Sequence, residues 1–217
     1  MDEFQLNLFF TRSKKNNYFN TQSSMNIYFK SNRLYKNVYK GTFAMDEFSH
    51  IDMFRSDKCL IVFNSITRNT HTMGHWLLLY SERLSDGMLH VTFFDSFGLS
   101  ISHYNPILIN YLNRHSSHIK NLDFNTFPLQ ANNSYVCGAY VCFISEKLVS
   151  GQHLKQICKN FFKKNDRKFN DTVVTRFIKS KWYRNSCTTE FCPMKSYAGE
   201  CFNCKCCESV NFMTRYV

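Results

Sequence analysis

Two stretches of the chain are apolar without a break over the length of a buried strand: Cys59-Leu60-Ile61-Val62-Phe63 and His75-Trp76-Leu77-Leu78-Leu79-Tyr80. A polar loop at 64–74 separates them. Ser85-Asp86-Gly87 marks a turn, and residues 88–94 read as a third strand ending at Asp95-Ser96-Phe97-Gly98. Strands joined in this way predict an antiparallel meander. Residues 124–129 predict one more short strand, with Pro128 at its end. Helical spacing appears at Ile107, Leu108, Tyr111 and Leu112, and again at Ala139, Tyr140, Phe143, Ile144 and Leu148, with Ser150-Gly151 as a stop. Residues 154–162 and 172–182 predict two further helices. The expected class is α+β, a small antiparallel-rich sheet packed by helices.

Outside this pattern lie both ends of the chain. Residues 1–38, rich in Asn, Ser, Lys and aromatics, show no clear period and read as a loosely structured extension lying against the main domain. The main domain is expected over 39–184. From 185 to 217 the apolar pattern dissolves into a cysteine-rich tail.

Composition narrows the class. With 217 residues, 44% apolar and 17% aromatic, the chain can bury a substantial core, and 7 Gly and 3 Pro argue against long flexible linkers. No apolar run approaches a bilayer span and Met1-Asp2-Glu3-Phe4 is no signal peptide, so a soluble intracellular protein without membrane contact is expected. Six of the ten cysteines crowd the tail, which fits free thiols, with or without metal, in a reducing compartment. The net charge of +11 divides as +5 over 1–44, −2 over 45–150 and +8 over 151–217. Basic flanks around a nearly neutral centre point to a polyanion partner, most simply nucleic acid; the alternative is ordinary solvated lysine.

The chemistry centres on Gln130-Ala131-Asn132-Asn133-Ser134-Tyr135-Val136-Cys137-Gly138, a loop ending in a cysteine where a helix begins. A thiol in the first turn of a helix meets unpaired N–H groups and the positive end of the dipole, which favour thiolate. Gly138 leaves room for a substrate backbone. Gln130, seven residues upstream, is near enough to reach back over the sulfur; its amide and the Cys137 N–H could hold an oxyanion. Alone, Cys137 reads equally as one more buried cysteine. A nucleophile needs a base and the base an orienting group. His75 opens one strand and Asp95 closes the next, so the antiparallel pairing sets them side by side at one end of the sheet. His71, His90 and His103 compete with His75 for that role.

Together these residues resemble the adenovirus-type cysteine endopeptidases, which share their fold and the order His, acid, Gln, Cys with the SUMO-deconjugating proteases. Gly74-His75-Trp76-Leu77, Phe94-Asp95-Ser96-Phe97-Gly98, and Gln130 with Cys137-Gly138 are the segments that match, within residues 39–150. The resemblance implies Cys137 as nucleophile, His75 as general base and then acid, Asp95 as orienting group, and Gln130 with the Cys137 N–H as oxyanion hole. Trp76 and Gly138 would border a narrow groove accepting glycine-containing sites. It implies cleavage of viral structural precursor proteins during particle maturation, in virion and host nucleus, by a monomer needing no cofactor for its chemistry. The acid is Asp, as in the SUMO-protease branch, where adenoviral enzymes usually carry Glu. An isopeptidase for a ubiquitin-like modifier is therefore the alternative, and a nucleic-acid-binding module on an inactive protease fold a third reading.

The resemblance also implies two activators, DNA and a peptide that in adenoviral enzymes forms a disulfide to a cysteine shortly before the Gln. No cysteine stands between Cys59 and Cys137, so a peptide activator here would be noncovalent or would bond a tail cysteine. For DNA the candidate residues are Lys155, Lys159, Lys163, Lys164, Arg167, Lys168, Arg176, Lys179 and Lys181, interleaved with Phe161, Phe162 and Phe169. In the tail, Cys187, Cys192, Cys201 and Cys204 could hold a structural zinc ion, against free or redox-active thiols.

Overall fold

The computed structural model describes residues 21–70, 74–104 and 106–186. Its centre is a five-stranded sheet in the order β1 (Tyr39–Phe43), β2 (Lys58–Asn64), β3 (Trp76–Arg83), β4 (Leu89–Phe94) and β5 (Ile119–Phe124). The two central pairings are antiparallel, as the meander pattern predicts. The outer two, β1 with β2 and β4 with β5, are parallel, so the sheet is mixed. The reason lies in the connections. Helix α2 (Pro106–Arg114) carries the chain from β4 back to the end where β4 starts, and a parallel pair needs such a crossover.

The expected strand at 124–129 begins earlier. Ile119–Phe124 forms β5, an edge strand exposed along much of its length and therefore without an apolar run. Residues 125–129 are a loop whose end is tied to the sheet by Leu129 N–H donating to the Ser96 carbonyl at 2.9 Å.

Both faces of the sheet are covered, which explains the unbroken apolar runs. Cys59, Ile61, Phe63, Leu77, Leu79, Leu89, Val91 and Phe93 share one face, packed with Leu108, Tyr111 and Leu112 of α2. The alternate positions, including Leu60, Val62, Leu78 and Phe94, are also fully buried, and the contacts of α3 (Cys137–Val149) with β2 and β3 place it over that second face. Helix α4 (Leu154–Phe161) follows α3 closely.

Helix α1 (Gln22–Ser31) falls inside the stretch without a clear period. Its apolar face is hardly more than one turn, Met25, Tyr28 and Phe29, too short to show as periodicity. Thr21 and Ser24 cap it reciprocally. Phe29 stacks on Tyr39 with ring centroids 4.8 Å apart, and Gln22 Nε2 donates to the Thr42 carbonyl at 2.6 Å, which fastens the helix to β1.

The chain divides into two compact units, Met1–Val174 and Thr175–Val217. The last helix, α5 (Arg167–Ser186), begins earlier than the apolar pattern predicts because Asp166 accepts the Phe169 N–H at 2.9 Å at its start. Its first turns belong to the first unit and its remainder supplies the described part of the second.

Two glycines test how tightly the site end of the sheet is built. Gly98 sits at φ +68°, and a Cβ there would fall 2.4 Å from the carbonyl carbon of Phe127. Gly87, in the β3–β4 turn, has φ +82° and open space around it. Gly98→Ala is expected to cost on the order of 3 kcal/mol, from left-handed strain plus a backbone clash, and Gly87→Ala about 1 kcal/mol from strain alone, both read by urea unfolding.

Candidate active site

Asp95 directly follows β4 and is completely buried. A charge there needs local compensation, and the turn after it supplies this. Oδ1 accepts the Phe97 N–H and Oδ2 the Leu99 N–H, each at 2.8 Å. His75 Nε2 lies 2.6 Å from Oδ1. Asn125 holds the Asp95 backbone on both sides, accepting its N–H at 3.2 Å and donating to its carbonyl at 2.6 Å.

His75 stands just before β3, and the Leu78–Phe94 register puts it beside Asp95 at one end of the sheet. Its backbone is locked to Ser65, with His75 N donating to Ser65 Oγ at 2.9 Å and Ser65 N to the His75 carbonyl at 2.8 Å. Gly74 permits this approach: a Cβ there would fall 1.7 Å from Asn64 Oδ1. Phe97 covers the imidazole with ring centroids 4.6 Å apart. With Nε2 committed to Asp95, Nδ1 is the nitrogen left to face Cys137, which lines the same cleft and acts to raise the His75 pKa.

The electrostatics of the pair follow. Burial pushes the His75 pKa down, but the hydrogen bonds and charges of Asp95 and Cys137 outweigh it and raise the value to about 9. Burial would raise the Asp95 pKa, yet His75 and the Phe97 and Leu99 N–H groups lower it below the usual range.

Cys137 opens α3. Val136 at the N-cap gives no side-chain cap hydrogen bond, so the first-turn N–H groups are not occupied by a capping side chain. The other described cysteines are of the inert kind: burial raises Cys59 and Cys158 to about 12 and pushes Cys142 well up. Of the described cysteines, Cys137 is the one that lines a cleft of about 530 Å³, together with His75, Trp76 and Gln130. Trp76 is the first residue of β3 and 4% exposed. Gly138 is buried in the first turn of α3.

Gln130 is 1% exposed. Its Oε1 accepts the Ser96 hydroxyl at 2.6 Å, and its Nε2 donates to the Ser134 carbonyl at 2.7 Å. The loop from Gln130 to Cys137 is clamped by the start of α5. Asn170 Nδ2 and Tyr140 Oη both donate to the Leu129 carbonyl, at 3.1 and 3.0 Å. Asp171 lies 2.9 Å from Tyr140 Oη and accepts the Ala131 N–H at 3.4 Å.

The structure thus brings together the expected His75, Asp95, Gln130, Cys137 and Trp76. It adds Ser65, Phe97, Asn125, Tyr140, Asn170 and Asp171 as supports. Phe97 and Ser96 lay inside a quoted motif; Asn170 and Asp171 carried no signal, since their roles depend on contacts across about forty residues.

The basic residues are more dispersed. Lys155, Lys159, Lys163, Lys164 and Lys168 are exposed on α4, the turn after it and the start of α5. Arg167 donates to Asn132 Oδ1 at 2.8 Å. Arg176, Lys179 and Lys181 belong to the second unit. The interleaved aromatics are largely engaged: Phe162 is buried against Tyr140 and Phe143, Phe161 packs on Phe143, and Phe169 remains 39% exposed under the Lys163 ammonium. Cys187, Cys192, Cys201 and Cys204 lie outside the described residues, so the zinc expectation is not addressed. No helix among the described residues is long and apolar enough to cross a membrane.

One measurement addresses the buried pair directly. A raised His75 pKa means that its contribution to stability is complete below 6.5 and is lost as pH rises through about 9. In NMR titration the His75 ring is expected to change charge near 9. In Asp95→Asn, with the carboxylate gone and burial left, the midpoint should move well below that. A wild-type midpoint at the ordinary histidine value would contradict the geometry.

No protein-family model matches the chain, and no curated protein matches it. Among solved structures, its fold matches the ASFV pS273R protease with a TM-score of 0.50 at 13% identity, over 69% of this chain and 65% of that one. A selenomethionine form of the same protease gives a TM-score of 0.40 at 15% identity, over 55% and 43% of the two chains. The central domain of the uncharacterized Lpg1148 protein from Legionella pneumophila gives 0.39 at 11% identity, over 67% and 88%. The match thus spans slightly under two thirds of the ASFV protease's length. The likeness is one of fold alone, and the class of that fold is α+β.

Proposed function

We propose that the chain is a cysteine endopeptidase that cleaves viral structural precursor proteins at glycine-containing sites. The observation that carries this reading is His75, hydrogen-bonded to the buried Asp95 and lining one cleft with Cys137 and Gln130.

The chemistry follows from that line. His75, with its pKa raised to about 9, already holds the proton at neutral pH, and Cys137 Sγ attacks the scissile carbonyl carbon as the thiolate partner of that imidazolium. The carbon–sulfur bond forms while the carbonyl π pair moves onto oxygen, where the Cys137 N–H and the Gln130 amide receive the charge. As the tetrahedral species collapses, the carbon–nitrogen bond breaks and His75 gives its proton to the leaving amine. Water, deprotonated by the now neutral His75, then attacks the thioester carbon; the carbon–sulfur bond breaks with its electron pair going to sulfur, the acid product leaves, and His75 keeps the proton. Asp95 keeps the imidazole oriented with Nδ1 toward sulfur and stabilises its charged form throughout.

Support for a groove taking glycine comes from Trp76 bordering the cleft beside His75. The adenovirus-type assignment, with maturation in virion and nucleus, rests on the residue order described above. An isopeptidase acting on a ubiquitin-like modifier is the second reading, favoured by Asp in the acid position and by the fold. A polyanion activator such as DNA is favoured by the exposed lysines at 155, 159, 163, 164 and 168. A peptide activator and a structural zinc in the tail remain part of the proposal.

The test is hydrolysis of Gly-Gly and Gly-x-Gly peptides, beside a ubiquitin-like conjugate, with and without duplex DNA. Cleavage by the wild type should vanish in Cys137→Ala, and Gln130→Ala should lower kcat by about 10² to 10³. Cleavage confined to the conjugate would select the isopeptidase. Stimulation by DNA should fade as salt rises; an effect of DNA independent of salt would remove the lysines from the account. DNA binding unaffected by Cys137→Ala, without hydrolysis of anything, would leave only a binding module.

A further inference from the structure

Ser96 follows Asp95 at the end of β4 and is completely buried. It holds Gln130 at two places. Its carbonyl accepts the Gln130 backbone N–H at 2.9 Å, and its hydroxyl donates to Gln130 Oε1 at 2.6 Å. The far side of the same carboxamide faces the Ser134 carbonyl, which accepts from Nε2 at 2.7 Å.

A carboxamide can be turned over with little change of shape, and the two faces differ only in what they offer. Here the Ser134 carbonyl makes the choice, and the Ser96 hydroxyl, able to donate or accept, anchors the other end of the group in place. The Ser134 carbonyl can only accept, so nitrogen must face it. The Ser96 hydroxyl can donate, and does so to the oxygen. Turned over, the amide would set two carbonyl oxygens against each other at Ser134. Nε2 carries two protons and Ser134 uses one, so one is left. A turned amide would instead present an acceptor where negative charge develops on the substrate.

We propose that Ser96 is a positioning residue that anchors the oxygen end of the Gln130 carboxamide, so that, with nitrogen held at the Ser134 carbonyl, the remaining N–H is offered to the substrate carbonyl. This rests on the reading of Gln130 as an oxyanion donor given above. The consecutive residues Asp95 and Ser96 then orient the base and the oxyanion donor respectively. A one-residue displacement of the strand end would disturb both.

The experiment compares Ser96→Ala and Ser96→Thr with the wild type. Ser96→Ala should lower kcat about tenfold while KM stays within about twofold, because the interaction lost is made in the transition state. Ser96→Thr keeps the hydroxyl and should recover most of the loss. Alkylation of Cys137 by iodoacetamide and the His75 titration should match the wild type in both variants, since Asp95 is untouched. In a Gln130→Ala background, Ser96→Ala should have no further effect on kcat. An equal fall in both backgrounds, or a fall in alkylation rate parallel to kcat, would reduce Ser96 to a packing role and overturn the proposal. The Gln130 side-chain NH₂ signals in ¹⁵N NMR give a readout without substrate: two protons shifted away from their free-glutamine positions and slow to exchange with water are expected, moving toward those positions and exchanging faster in Ser96→Ala. If those signals behave so and no substrate is cleaved, the protease reading fails and the positioning stands. If substrate is cleaved and the signals ignore Ser96, the positioning fails alone.

Discussion

A carboxylate shut away from water constrains this structure more than any other group. Asp95 is charged only because His75 Nε2 and two backbone N–H groups converge on it. Those N–H groups converge because the chain reverses tightly after β4, with Gly98 in the left-handed region and its N–H donating to the Asp95 carbonyl at 2.9 Å. Asn125 and the Phe127 backbone press against the same turn. The end of β4, the loop after β5 and the approach to β3 are thus assembled around one acid. A neutral residue of the same shape would leave the turn's donors weakly paired and the imidazole without an orienting partner.

The sheet makes that arrangement rigid. Because β2, β3 and β4 are buried on both faces, a slip of one residue would exchange two apolar sets with different partners, α2 on one side and α3 on the other. Register is therefore fixed, and with it the juxtaposition of the residue before β3 and the residue after β4. Helix α3 lies across the second face with Cys137 at the same end of the sheet, lining one cleft with His75. The thiol, imidazole and carboxylate come from three segments whose relative placement is a consequence of core packing rather than of local sequence.

Much of this was legible from the residues. The apolar runs located β2 and β3 because strands buried on both faces leave unbroken signatures. The helix after Cys137 was legible because it combines helical spacing with a Ser-Gly stop. The edges were not. β5 pairs through backbone groups while keeping most of its side chains in water, so its sequence, Ile-Lys-Asn-Leu-Asp-Phe, shows no apolar run. α1 buries only a single short face. The site showed the same division: His75, Asp95, Gln130 and Cys137 stood out as reactive residue types in order. Asn125, Asn170 and Asp171 did not, because an amide or carboxylate that steadies a loop looks like any surface residue until its partner is known.

The supports differ in kind from the reactive groups, and the difference bears on what the cleft can do. Asp95 stands behind the imidazole rather than in the cleft, and Arg68, a cation paired with Glu47, is among the residues that line it. No Asp or Glu is among the described residues lining the cleft, whose walls near Cys137 are Gln130, Asn132, Ser134 and Tyr135. A carboxylate on those walls would oppose both a thiolate and a developing oxyanion across a short distance at reduced dielectric. Asp171 is turned onto Tyr140 and the Ala131 N–H, and burial raises its pKa. Neutral side chains thus line the cleft beside Cys137, where negative charge would be harmful, and Asp95 is placed where it stabilises the imidazolium. That separation is what a site built to carry transient negative charge on sulfur and oxygen requires.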